Sequence, residues 1–327
     1  MLHLLSQLYH QDNWSLAFRL LRSVILTAET LSTELKRSAS QAGWKDYLNL
    51  TKPTITLLVV VTAVPGVLLA SQTQLPSALL FFAVIIGSGL LSASAAAFNQ
   101  IVEQDIDKVM ARTERRSLPA GKVPRLNAIS FGLLLGIAGF FVLFQCATPM
   151  AAYVGLAGHI FYVVIYTLIL KPRTAQNIVI GGAAGAVGPL IGWAAVTNSL
   201  GWPAWVMFLI IFFWTPPHFW ALALKYKKDY AKAGIPMYPV IYGDHKTRRS
   251  MMIYSFLLIP CIFSLYYFDA AGLWFLLIAM PLTLKFALDA TKLYLAKDNA
   301  KAMALFHFSC IYTLLVFVVL AIEKSFC

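Results

Sequence analysis

Nine long apolar runs, separated by short charged connections, dictate what this 327-residue chain can become. They lie at about residues 54–71, 77–99, 127–146, 150–170, 177–197, 203–224, 250–268, 270–291 and 302–322. A bilayer core about 30 Å thick takes roughly 20 residues of helix, and each run is close to that length. Inside lipid the backbone finds no water to bond, so such a run must satisfy its own N–H and C=O groups as an α-helix. Gly and Pro within the runs, such as Pro65, Gly66, Gly181, Gly182, Pro260 and Pro281, are compatible with this. Neighbouring helices re-satisfy the freed backbone, and small residues let helices approach. The sequence therefore predicts an all-α polytopic membrane protein with nine transmembrane helices. Residues 48–327 are expected to form one membrane domain, preceded by a cytoplasmic or interfacial segment over 1–47. Within that segment Trp14 to Leu31 mixes apolar residues with Arg19 and Arg22, the pattern of an interfacial amphipathic helix rather than a cleaved signal.

The net charge of +12 could suggest a nucleic-acid partner, but 59% of the residues are hydrophobic and the basic ones sit between apolar runs. No soluble basic face is available for nucleic acid, and none is expected as a partner. The basic residues report topology instead, because cytoplasmic loops collect Lys and Arg. The segment before the first run, the second, fourth and sixth connections and the region from Lys285 to Lys301 around the eighth connection hold every Lys and Arg of the 26 except Lys324. An N-terminus on the cytoplasmic side of a bacterial inner membrane follows. A mitochondrial transit peptide is disfavoured by Asp12, Glu29 and Glu34. The four cysteines lie singly in or beside apolar stretches and read as small hydrophobes.

Carboxylates are scarce, and four of the 14 fall between residues 103 and 114, directly after the second run. Asn99, Glu103 and Asp107 are spaced i, i+4, i+8, so at about 100° per residue their oxygens project from one side of a helix while Asp105 points away. Carboxylate and amide oxygens suit a hard cation such as Mg²⁺, which is commonly shared with substrate phosphates. Arg112, Arg115, Arg116 and Lys122 follow closely, supplying donors for the oxygens of a diphosphate. A solvated loop of mixed charge is the alternative. After the sixth run, His218, Lys225 and Asp229 share a helical face if the helix continues past Pro216 and Pro217. His159 and His307 are intramembrane ionisable groups, either functional or bonded between helices.

At these residues the chain resembles the intramembrane UbiA-type prenyltransferases, and within them the branch that farnesylates haem. That branch carries an N-x3-E-x3-D motif followed by M-x-R-T-x-x-R-P-L-x-x-G. It is present here as Asn99, Glu103, Asp107, Met110, Arg112, Thr113, Arg116, Leu118 and Gly121, with Ser117 in place of the usual Pro. TPPHFWALAL at Thr215–Leu224, AGIPM at Ala233–Met237 and RTAQNIVIGGAAGA at Arg173–Ala186 match as well. The resemblance, over about residues 48–322, implies a UbiA-type bundle. It also implies transfer of farnesyl from farnesyl diphosphate to a vinyl group of haem B (protohaem IX) with water addition, giving haem O, with haem A synthase as a possible downstream partner. It implies Mg²⁺ held by Asn99, Glu103 and Asp107, with Asp229 as a further candidate, and Arg112 and Arg116 on the diphosphate. The wider superfamily has acids where this chain has His218 and Lys225, so Lys225 is expected to reach the diphosphate directly. His218 is left to ligate or orient haem, or to act as a base. A related transferase on another aromatic or tetrapyrrole acceptor, or a polytopic transporter or haem-handling protein, shares the composition.

Overall fold

The structure, a computed structural model, describes residues 42–71, 76–296 and 298–326. The amphipathic helix expected at Trp14 to Leu31 lies outside the described residues. Nine described helices are long and apolar enough to cross a membrane: Pro53–Ala70, Ala78–Val102, Arg125–Cys146, Pro149–Arg173, Asn177–Thr197, Trp202–Lys225, Tyr238–Tyr267, Leu273–Leu295 and Ala302–Glu323. These are numbered below as the first to ninth spans. The chain is a multi-pass helical membrane protein, as the apolar runs predict.

The largest departure from expectation is the seventh span, which begins at Tyr238 rather than near 250. Residues 244–249 are too polar to register as membrane helix, yet they are helical, and two of them are tied to other segments. Asp244 accepts from Lys227 Nζ and from Asn299 Nδ2, each at 2.7 Å, and Arg248 Nη1 donates to Asn299 Oδ1 at 2.8 Å. Gly243, at φ +77°, supplies a kink that few side-chain-bearing residues would adopt. The fourth span is also irregular: Phe161–Leu170 forms a π-helix, a rare form that concentrates at functional sites. Cys146, Cys261 and Cys310 are free thiols, but of the buried small hydrophobes expected only Cys261 is buried; Cys146 is half-buried and Cys310 is exposed.

Consecutive spans pack side by side, and the ninth returns to the first, closing the ring. The first span also crosses the second half of the fifth at very short range. A Cβ built on Gly192 would lie 2.0 Å from the Ala63 carbonyl oxygen, and one on Gly66 would lie 2.4 Å from that of Pro189. Hydrophobic burial offers little drive between helices in lipid, so backbone proximity of this kind supplies the packing. At the end remote from the basic loops, Glu323 accepts from the Gly272 and Phe275 N–H groups at 2.7 and 3.0 Å. An anion thereby sits on the positive N-terminus of the eighth span.

Gly192→Ala is expected to lower the unfolding midpoint of the detergent-solubilised protein. The overpacking cost of about 1–3 kcal/mol outweighs the roughly 1 kcal/mol helix-propensity gain. Gly185→Ala, where a Cβ meets nothing within 4 Å, leaves the midpoint unchanged or raised.

Candidate active site

The second span ends at Val102, Glu103 occupies the break (φ −88°, ψ 4°), and a short helix, Gln104–Val109, follows. Hydrogen bonds from Glu103 N to Asn99 O (3.0 Å) and from Asp107 N to Glu103 O (2.8 Å) carry the i, i+4 ladder through that break. Asn99, Glu103 and Asp107 therefore stay on one side, as their spacing predicts. All three are buried, with relative exposures of 1%, 4% and 2%.

Each is held by a charge brought from elsewhere. Lys171, at the basic end of the fourth span, donates to Glu103 Oε1 at 2.5 Å, and Asn99 Nδ2 donates to the same oxygen at 2.8 Å and to Thr167 Oγ1 at 3.1 Å. Arg116 Nη1 donates to Asp107 Oδ2 at 2.7 Å. Lys52 Nζ donates to Asn99 Oδ1. Lys52 precedes Pro53, which disfavours right-handed helical geometry there, and it adopts a left-handed conformation (φ 46°, ψ 67°) at a cost of about 1–2 kcal/mol. Among the described residues no protein donor reaches Glu103 Oε2 or Asp107 Oδ1. Burial pulls the Lys52 ammonium down to about 7; Glu103 counteracts this, while Arg116 and Lys171 reinforce it. Burial pushes the Glu103 carboxyl up, but the lysines at 171 and 52 and the hydrogen bonds outweigh it and hold the group below its ordinary value.

The loop after the sixth span faces the first motif. The sixth span runs unbroken through Pro216 and Pro217 to Lys225, then turns at Tyr226 into a short helix, Lys227–Lys232. Arg112 Nη2 donates to Tyr230 Oη at 3.4 Å, and the guanidinium lies 5.7 Å from the Tyr226 ring centroid. Ala233, Gly234 and Ile235, part of the AGIPM motif, share a crevice with Glu103, Ile106, Thr167 and Lys171. Gly234, at φ +68°, makes the turn that lays this loop there.

Lys225 and Asp229 instead line a different cleft, with Tyr226, Lys228 and Asp244, and Lys122 is exposed on its loop. His218 does not join them. Its ring is stacked between Trp214 and Phe306, with centroids at 4.2 and 4.6 Å, and Nδ1 lies 2.6 Å from Ser309 Oγ. Ser309 gives its own proton to the Phe306 carbonyl, so Nδ1–H is the donor to Ser309 and Nε2 carries the lone pair. No described residue bonds that nitrogen. His159 Nε2 bonds Ser94 Oγ at 2.9 Å, the interhelical alternative for that residue, whereas His307 is exposed on the outside of the ninth span.

Below Asn99 a partly open apolar crevice, about 60 Å³ of it cavity, runs between the first, second, fourth and fifth spans. Sequence reasoning treated Lys52 and Lys171 only as topology markers. Both immediately precede a proline at the basic end of a span; at Lys52 the backbone turns, whereas at Lys171 the helix continues to Arg173.

Among the described residues, nine membrane-length helices form a bundle with an apolar crevice and a buried, cation-rich carboxylate cluster, an arrangement that suits an amphiphilic anion. The UbiA prenyltransferase family profile matches residues 59–314, and the chain belongs to that family. Relatives named protoheme IX farnesyltransferase include one from Gloeobacter violaceus, 45% identical over 91% of this chain and 98% of its own length. Another, from Alcanivorax borkumensis, is 44% identical over 87% of this chain and 94% of its own. The same bundle occurs in a digeranylgeranylglyceryl phosphate synthase (TM-score 0.73, 19% identity, 86% of this chain and 99% of that one). It occurs also in a UbiA homologue from Archaeoglobus fulgidus bound to DMAPP and Mg²⁺ (TM-score 0.63, 14% identity, 85% and 99%).

Removing one partner of a buried ion pair strands the other, at about 3–5 kcal/mol. Lys171→Met is therefore expected to lower the unfolding midpoint sharply, and Lys171→Met combined with Glu103→Gln to recover most of the loss. Additive losses in the double variant would show that the pair is not coupled.

Proposed function

We propose that the protein transfers the farnesyl group of farnesyl diphosphate to a vinyl group of protohaem IX, with addition of water, releasing diphosphate and giving haem O. The observation that carries this is the 44–45% identity to relatives named protoheme IX farnesyltransferase over nearly their whole length.

The geometry suits each part of the reaction. The donor has an apolar tail and an anionic head; the crevice accepts the tail and keeps water from it. Lys171 and Arg116 hold the carboxylates beyond the Asn99 end of the crevice, Arg112 bonds Tyr230, and Lys52, lowered to about 7 by burial, bonds Asn99; negative charge develops on diphosphate beside them as the allylic C–O bond breaks. Fixed cations in a water-poor site stabilise that charge without reorganising. The vinyl carbon then bonds to the allylic carbon, water captures the cation left on the substituent, and one proton departs. His218, with Nε2 unprotonated, orients the haem or accepts that proton. Lys225 and Asp229 flank the adjoining cleft and belong to the outer part of the site.

The carboxylates also fit a divalent cation. Glu103 and Asp107 are buried, each has one oxygen free of protein donors, and the Asn99 amide lies beside them. These three residues would hold Mg²⁺, which when bound supplies charge neutralisation to the diphosphate oxygens. The basic end of the bundle faces the cytoplasm of a bacterial cell, by the distribution of Lys and Arg. The haem O product is then available to haem A synthase.

Purified protein supplied with farnesyl diphosphate and haem B should yield a farnesylated, hydrated porphyrin by mass analysis. Glu103→Gln and Asp107→Asn are each expected to lower that yield at least 100-fold while remaining folded, and near-normal yield from both would refute the site. Stripping divalent cations with a chelator should stop pyrophosphate release, and added Mg²⁺ should restore it. His218→Ala is read by haem B affinity and turnover separately; if neither changes, His218 lies outside the site.

A further inference from the structure

We infer that Ser309 is a positioning residue: by accepting the Nδ1 proton of His218, it fixes the imidazole with its Nε2 lone pair turned out to ligate the iron of the haem acceptor. This rests on haem B being the acceptor, as proposed above, and it chooses between the two roles left there to His218.

Two short stretches on neighbouring spans build the arrangement. Trp214 and His218 are four residues apart on the sixth span, and Phe306 and Ser309 three apart on the ninth, so each pair shares a helical face. Where the faces meet, the imidazole lies between the Trp214 and Phe306 rings at interplanar angles of 20° and 24°. Ser309, at 0% exposure, ties down both of those neighbours. Its carbonyl accepts from Trp214 Nε1 at 2.9 Å, and its hydroxyl donates to the Phe306 carbonyl at 2.6 Å. With that proton committed, the 2.6 Å bond between His218 and Ser309 is donated by Nδ1–H. The flanking rings hold the imidazole plane, and the bond to Ser309 selects the tautomer. Thr313, one turn further along the ninth span, leaves its own Oγ1 without a partner and takes no part in holding the ring.

The second nitrogen is unpartnered among the described residues and accessible. The enclosed side-chain polar atoms that lack a partner are Asn177 Oδ1, Trp220 Nε1, Arg248 Nε and Thr313 Oγ1. His218 Nε2 is not one of them, so on this half-buried residue it retains open surface. A neutral imidazole with one nitrogen anchored through its proton and the other open is the form in which histidine binds metals, and the anchor orients the ring. Of the two metals the reaction involves, Mg²⁺ takes oxygen ligands, whereas haem iron takes imidazole. The bond is dative: Nε2 supplies the electron pair and no proton leaves. As a base the ring is poorly equipped, because no described carboxylate bonds it to steady an imidazolium.

The test is haem binding without the prenyl donor. Purified full-length protein is titrated with ferric haem B, and affinity, haem absorption spectrum and unfolding midpoint are recorded. The unaltered protein should give the spectrum of a histidine-ligated haem. His218→Gly should lose it, and added imidazole, entering the space between Trp214 and Phe306, should restore it. Ser309→Ala should shift the spectrum and weaken haem affinity about 10–100-fold, the usual loss when a metal-binding histidine forfeits its outer hydrogen-bond partner. Ser309→Thr, which keeps the hydroxyl, should preserve both. Ser309→Cys, a weaker acceptor at the same place, gives the same readout if Ser309→Ala does not fold. An unchanged spectrum in His218→Gly would overturn the ligand assignment, and unchanged spectrum and affinity in folded Ser309→Ala would overturn the positioning role. Either result leaves the transferase reading standing where the unaltered protein still forms haem O. Failure of the unaltered protein both to bind haem B and to prenylate it would overturn the two together.

Discussion

The arrangement depends on keeping two carboxylates buried at the membrane edge. Glu103 and Asp107 would be costly there alone, since an ionised carboxylate out of water loses more solvation than a helix end can return. Lys171 from the fourth span and Arg116 from the loop after the second offset that cost directly, and Lys52 does so through Asn99. Three separate connections are thereby pinned to one point. The basic end of the bundle acquires its shape from that electrostatic requirement, and the cations exceed the anions they serve. The surplus positive charge is what makes the cluster receptive to a diphosphate.

Around that point the protein separates two solvents. The charged mouth is covered by the loop after the sixth span, tethered through Arg112 and Tyr230 and turned by Gly234. The crevice beneath is lined mainly by apolar side chains. An amphiphilic donor spans both, with the bond to be broken at the boundary. At that boundary the π-helical turn of the fourth span places Thr167 beside Asn99 and Lys171 beside Glu103. A regular α-helix would distribute those side chains differently, because bonds reaching five residues back rotate each successive side chain less per residue.

The number of spans and the sidedness of the charge were legible in the sequence because both follow from local composition. Apolar length decides what crosses a bilayer, and Lys and Arg mark the connections on one side. The alignment of Asn99, Glu103 and Asp107 was legible for the same reason: helical periodicity is local, and it survived the break at Glu103. The start of the seventh span was not, since residues 244–249 lack an apolar run, and the bonds of Asp244 and Arg248 to Lys227 and Asn299 come from other connections. His218 shared a predicted face with Lys225, but stacking between Trp214 and Phe306 and the bond to Ser309, 91 residues away, give it different surroundings.

By itself, then, the sequence determined a nine-helix membrane bundle, a basic end and a carboxylate motif belonging to a prenyltransferase. Those are properties of short segments and of their immediate solvent. Only the tertiary structure decided which cations answer the carboxylates and that the loop after the sixth span meets the first motif. Each of these depends on side chains distant in sequence meeting at separations of a few ångströms, and short-range periodicity carries no information about such meetings.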